Sequence, residues 1–175
     1  GLVSFKPVVM RGARTPEIAA RVAQIKANWK SEMEFVDGTG GYGAGVIDAL
    51  LQAGHSPVEV QFAGKAPDDR YANMRAWIWF EMAKWIKRGG ALPKDADLVR
   101  ELCSPTYTFV NGKFQLEPKE AIKKRLGFSP DKSDALALTF SQAEAMARDE
   151  IVHPSQVQNH YHAETEYDPF RREGL

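Results

Sequence analysis

The sequence predicts an α/β fold, and three observations carry that prediction. Short apolar runs alternate with helix-period segments in the order strand, helix, strand, helix, strand, which implies parallel pairing through crossover helices. A Tyr107–Val110 run, Asn111-Gly112 and a Lys113–Leu116 run form a hairpin pattern, because Asn-Gly accepts the positive φ angles of a tight turn. The 175 residues are 43% hydrophobic and 10% aromatic, enough for one domain with its own core.

Taken in order, residues 2–10 alternate weakly and carry Val3, Phe5, Val8 and Val9, a strand pattern. Thr15-Pro16-Glu17 reads as a helix start, with Thr as cap and Pro at the first position. Ile18, Val22, Ile25 and Trp29 then recur at helical spacing, one face for a sheet. Residues 33–37 form a short buried strand, 38–45 a glycine-rich turn, 46–53 a helix closed by Gly54, and 58–62 a further strand. A long helix spans 72–88, dense in Met74, Trp77, Ile78, Phe80, Met82 and Trp85, and ends at Gly89-Gly90. A short helix follows over 95–102. After the hairpin come a basic helix over 118–126 and a last helix from Ser129-Pro130 to about residue 148. Residues 151–175 are polar, poor in aliphatics and read as an extended tail.

Composition excludes several classes. No apolar run is long enough to span a bilayer, and no signal-peptide pattern opens the chain. The single cysteine, Cys103, excludes an internal disulfide framework and fits a reducing compartment as a structural thiol. Basic and acidic residues balance at 23 each, so any nucleic-acid site rests on local patches. Gly38 to Gly43 lacks the Lys-Ser/Thr ending of a phosphate loop and fits no dinucleotide register. His153, His160 and His162 are too irregularly spaced for a zinc site.

The candidate chemistry is carboxylate chemistry. Asp37 ends a parallel strand, where sites of open α/β sheets form; a turn aspartate capping the next helix is the equal alternative. Asp131 and Asp134 lie three apart and share a helix face. Two carboxylates together are costly unless a cation joins them, and hard cations take oxygen ligands. Solvated helix-start acids are the simpler explanation of that pair. Lys123, Lys124 and Arg125 could touch a phosphate backbone, or form an ordinary solvated face. Trp77, Trp79 and Trp85 have the spacing of core residues rather than of a base-stacking platform.

Three segments in order carry a family resemblance: Val36-Asp37-Gly38-Thr39-Gly40, Tyr71-Ala72-Asn73-Met74-Arg75, and Ser129-Pro130-Asp131-Lys132-Ser133-Asp134-Ala135-Leu136. The sequence over residues 1–150, with Tyr167-Asp168-Pro169 beyond it, resembles the C-terminal nuclease domain of phage DNA-packaging terminase large subunits. The resemblance implies an RNase H-like mixed sheet flanked by helices. It implies metal-dependent cutting of concatemeric double-stranded viral DNA in the cytoplasm of a bacterial host. Asp37, Asp131 and Asp134 would then hold Mg²⁺ or Mn²⁺, and the terminase ATPase domain, the small terminase subunit and the portal protein would be partners. The family's first, central aspartate has no counterpart, since no acid precedes Glu17. The resemblance therefore predicts a domain lacking its first strands, as a fragment or a decayed prophage product, with a defective metal site and an exposed sheet edge. A non-catalytic module docking on DNA or portal is the alternative function, and whether the chain is itself an enzyme stays open.

Overall fold

The computed structural model describes residues 3–142. Two parallel strands, β1 (Phe35–Asp37) and β2 (Val58–Val60), pair in the register Phe35↔Val58, Val36↔Glu59, Asp37↔Val60. The pairing extends by one bond at each end, from Val58 N–H to the Glu34 carbonyl and from Gly38 N–H to the Val60 carbonyl. Helix α2 (Ala44–Gln52) makes the crossover between them. Parallel strands require such a connection, because a two-residue turn cannot return the chain in the same direction.

Helix α1 (Thr15–Trp29) precedes the sheet and packs against α2. Gly45 permits the approach: a Cβ there would lie 3.0 Å from Thr15 Cγ2. Thr15 is the first helical residue rather than the cap. The cap position is Arg14, whose backbone N–H donates to Glu17 Oε2 at 2.8 Å. The expected apolar face is weak. Only Ala19 is buried, and Trp29 is half exposed with its ring 4.5 Å from that of Phe5.

Helix α3 (Met74–Lys87) organises the core. Asn73 Oδ1 accepts the Ala76 N–H at 2.9 Å and caps it. Ala76, Trp77, Ile78, Trp79 and Met82 are buried among Val60, Phe62, Tyr71, Leu138 and Phe140. Each large side chain so placed contributes about 1.5–3 kcal/mol, so this helix is the principal source of packing energy. Trp77 and Trp79 are core residues, as their spacing predicts, and Trp85 packs partly buried against the same cluster. Helix α4 (Ala96–Leu102) follows, capped by Asp95 Oδ1 at 3.0 Å from Leu98 N. Cys103, at its end, is exposed rather than packed.

The hairpin of β3 (Tyr107–Val110) and β4 (Lys113–Leu116) turns at Asn111 and Gly112, with φ of 52° and 76°. Both central residues are left-handed, the requirement of the primed turn that matches strand twist. Helices α5 (Lys119–Leu126) and α6 (Asp131–Leu138) complete the order, with α6 packed on α3, α4 and β1.

The structure corrects three expectations, on residues 4–10 and on the ends of β2 and α6. Residues 4–10 form no strand; a single parallel bridge joins Val3 to Ala91, and Val3, Phe5, Val8, Val9 and Met10 are all exposed. Alternation cannot make a strand without a neighbouring strand to receive its hydrogen bonds. The described strands pair in both senses, one two-stranded sheet parallel and one antiparallel, within the expected mixed α/β class. β2 ends at Val60 because Phe62 N–H donates to the Thr39 hydroxyl instead of a strand. α6 ends at Leu138, with turn structure to residue 142. The predicted tail, residues 151–175, lies outside the described residues, as do His153, His160, His162 and Tyr167-Asp168-Pro169.

Candidate functional site

The site is built where α6 meets α3 and β1. Pro130 has no side-chain acceptor for the first N–H groups of α6, and α4 supplies one instead. Glu101 Oε2 accepts the N–H groups of Lys132 at 2.7 Å and Ser133 at 3.1 Å. This clamp fixes the helix turn that carries Asp131 and Asp134. Burial pushes the Glu101 carboxyl up, and the two backbone donors partly offset it.

Asp134 is 2% exposed. Arg75 Nε donates to its Oδ1 at 3.0 Å, and the Trp79 indole N–H donates to the same oxygen at 2.6 Å. Its other oxygen, Oδ2, accepts no hydrogen bond among the described residues and lies 2.8 Å from the Lys119 ammonium. A buried carboxylate is tolerated only with such compensation. Arg75 is itself held by donation from Nη1 to the Glu117 carbonyl, at 2.9 Å.

Lys119 also lies 3.6 Å from Asp131 Oδ1, so one ammonium spans both acids of α6. Its side chain is one-third exposed and passes over the Phe62 ring, with Nζ 5.5 Å from the centroid. Asp131 differs from Asp134. Its side chain is 74% exposed and accepts from the Ser129 hydroxyl at 2.7 Å, the solvated helix-start role that its position allows.

Asp37 stands at the end of β1, the strand that α6 packs against. Its Oδ1 accepts the Thr39 N–H at 3.0 Å, so it does serve the turn. Gly43 is held against it: a Cβ on Gly43 would meet the Asp37 carbonyl oxygen at 2.2 Å. Among the described residues no three His, Cys, Asp or Glu side chains gather closely enough to cage a metal.

Of the basic residues singled out, Lys123 and Lys124 are exposed and make no ion pair among the described residues. Arg125 is structural. Its guanidinium donates to Glu117 Oε1 and Oε2 at 3.0 and 2.6 Å and to the Ser104 carbonyl at 2.7 Å. That hydrogen bonding holds the Glu117 carboxyl at about 2.

No family model matches the sequence, and no curated protein matches it. Solved structures do match. The nuclease domain of the large terminase subunit gp2 of bacterial virus Sf6 aligns with a TM-score of 0.57 at 22% identity, over 70% of each chain. A mutant of that domain determined with manganese gives 0.58 at 21%, over 70% of this chain and 71% of the other. The large terminase nuclease of thermophilic phage G20c gives 0.54 at 18%, over 76% of this chain and 64% of the other.

The chain has the fold of a phage terminase nuclease domain. On that terminase nuclease fold, the residues that sequence reasoning missed are Lys119, Arg75 and Trp79. Trp79 has the spacing of a core residue and Arg75 only a place in the Tyr71–Arg75 segment, and the polar roles of Arg75 and Trp79 depend on Asp134, 59 and 55 positions away. Lys119 had one available signal: it opens the basic helix, fifteen residues ahead of a buried acid, with no acid four residues on to pair with it. No described helix is long and apolar enough to cross a membrane.

Proposed function

We propose that this chain is a metal-dependent endonuclease domain of the terminase type, cutting concatemeric double-stranded DNA during viral genome packaging. The observation that carries the reading is Asp134: a buried acid whose Oδ2 accepts no hydrogen bond and faces a cation, on the helix packed against the Asp37 strand. That oxygen is paired with the Lys119 ammonium at 2.8 Å, so a hard cation would have to displace the lysine, and among the described residues no third acid gathers beside the pair. Asp37, Asp131 and Asp134 would hold the Mg²⁺ or Mn²⁺. Bound there, the ion would lower the pKa of a water and neutralise charge on the leaving oxygen. The protein's own contribution is placement. Glu101 clamps the start of α6, Arg75 and Trp79 fix the Asp134 rotamer, and Lys119 stands in for positive charge between the acids until an ion displaces it. Lys123, one turn beyond Lys119 on α5, and Lys124 beside it supply cations for the phosphate backbone.

On this reading residues 1–150 are the nuclease unit, the ATPase domain, small terminase subunit and portal are its partners, and it works in the cytoplasm of a bacterial host. The lack of a third acid beside the other two among the described residues favours a second reading, a module that docks on DNA or portal without cutting. Incubation of the chain with supercoiled plasmid and Mn²⁺ separates them. Nicking that disappears in Asp37→Asn supports the nuclease. DNA retention on a gel without cutting supports the docking module and removes the nuclease.

A further inference from the structure

We propose that the outer edge of β3 is a self-association surface, on which a second copy of this chain adds its own β3 as an antiparallel strand. Residues 106–112 are all exposed, Tyr107 at 58% and Phe109 at 60%. The two-residue turn makes Val110↔Lys113 and Thr108↔Gln115 the hydrogen-bonded pairs of the hairpin, and Tyr107↔Leu116 and Phe109↔Phe114 the non-bonded ones. Phe114 shows the same alternation. Its N–H donates to the Arg70 carbonyl at 2.7 Å and its carbonyl accepts the Ala72 N–H at 2.8 Å, so its backbone groups point away from β3. The β4 side of the hairpin is thereby closed by residues 70–72, through the parallel bridge Tyr71↔Phe114. The N–H and C=O groups of Tyr107 and Phe109 point the opposite way, to a side where no described segment pairs with them.

An unpaired strand edge is a template for another strand, and proteins blunt such edges with charge or proline. Tyr107-Thr108-Phe109-Val110 carries neither. The occupant is a second copy because the edge is complementary to itself. An antiparallel pairing centred on Thr108 sets Tyr107 against Phe109 of the second copy, and Phe109 against its Tyr107. Each of these pairs exchanges both of its N–H···O bonds. The same centring brings the two Thr108 side chains opposite one another. It also joins the paired rings to an aromatic cluster already present, with Phe109 4.4 Å from Phe114 and Tyr107 5.7 Å from Phe80 between centroids. Thr–Thr and aromatic cross-strand pairs both stabilise a ladder. The strand is uncharged and the chain has a net charge of +0, so two copies meet without net repulsion. Nothing in this pairing depends on the acidic site or on a metal.

The test is sedimentation of the full chain over a roughly hundredfold range of concentration, for the unsubstituted protein, Thr108→Lys, Thr108→Glu and an equal mixture of the two variants. The mean mass of the unsubstituted protein is expected to rise towards twice the monomer value. Each variant alone sets like charges opposite one another and is expected to stay monomeric, whereas the mixture sets opposite charges together and is expected to associate. In parallel, amide exchange at Tyr107 and Phe109 of the unsubstituted protein is expected to slow with concentration, while that at Asn111 in the turn does not. An unsubstituted protein that stays monomeric overturns the proposal and leaves the edge to a strand of a different protein. Dimers that persist in both single variants place the contact on another surface and overturn it too, as does a mixture that fails to associate. Exchange at Tyr107 and Phe109 that is independent of concentration overturns it even where the variants fail to fold.

Discussion

The Lys119 ammonium lies 2.8 Å from Oδ2 of Asp134, the one oxygen of that buried carboxylate that accepts no hydrogen bond. On the proposed metal reading, the contact places a resident cation where the ion's ligand would be. Lys119 and an arriving ion would then compete for the same oxygen, and the apparent metal affinity would include the work of moving the lysine. Lys119→Ala removes the competitor and leaves Asp134 held by Arg75 and Trp79. Mn²⁺ affinity by calorimetry is expected to rise on the order of tenfold, about 1.4 kcal/mol. A fall in affinity would show that the lysine helps to assemble the site instead.

Asp134 also holds the core together. Asp134→Ala leaves the Arg75 guanidinium and the Trp79 N–H buried without their acceptor. Breaking a buried pair on one side costs about 3–5 kcal/mol. Denaturant unfolding at neutral pH measures this directly, and a loss below about 1 kcal/mol would mean that water reaches the site. Asp134→Asn, which keeps an oxygen for the two donors, is the variant for binding experiments.

Gly43 sets how closely α2 approaches the strand end. A methyl group there would meet backbone, the Asp37 carbonyl at 2.2 Å, and backbone cannot swing aside. Gly43→Ala is expected to destabilise the fold by about 1–3 kcal/mol. Gly38→Ala makes a useful contrast, since the nearest atoms to its Cβ belong to the Glu59 side chain rather than to backbone. Thermal melts that rank the two variants in the opposite order would sink this account of the turn.

Two carboxyls predict pH effects of opposite sign. Hydrogen bonding from Arg125 holds Glu117 at about 2, below its ordinary 4.5. Its contribution is complete above pH 4.5 and is lost as pH falls from there towards 2. The melting difference between the protein and Glu117→Gln should therefore shrink from neutral pH to about pH 3. Burial raises Glu101 above 4.5, so the folded state favours its neutral form. Its contribution is full below 4.5 and declines as pH rises through the raised value. Glu101→Gln, which keeps an acceptor for α6, should lose less stability than the parent between acid and neutral pH. Parallel melting curves across that range for either pair would contradict the assignment.

How much of this was legible in the sequence depends on the range of the interaction. The hairpin was readable because Asn111 and Gly112 set their own φ angles, and α3 because its apolar residues repeat within one helix. The strand expected over residues 2–10 failed because pairing is decided by a neighbour, and only Ala91 bridges Val3. The α6 boundary at Leu138 carries no glycine or proline to announce it. Within the site, Asp134 was legible as an acid sharing a helix face with Asp131 at the start of the last helix. Its donors were not, because Arg75 and Trp79 reach it through tertiary packing that no local pattern encodes. The same limit hid Glu101, which caps a helix that starts thirty residues later.

The central claim, that Asp134 is a metal-binding carboxylate on this fold, is tested most directly by Mn²⁺ titration of the protein and Asp134→Asn, followed by calorimetry with folding checked by circular dichroism. The account predicts saturable binding to the parent that is lost in a folded Asp134→Asn. Equal binding to both proteins, or no binding to the parent, would contradict it.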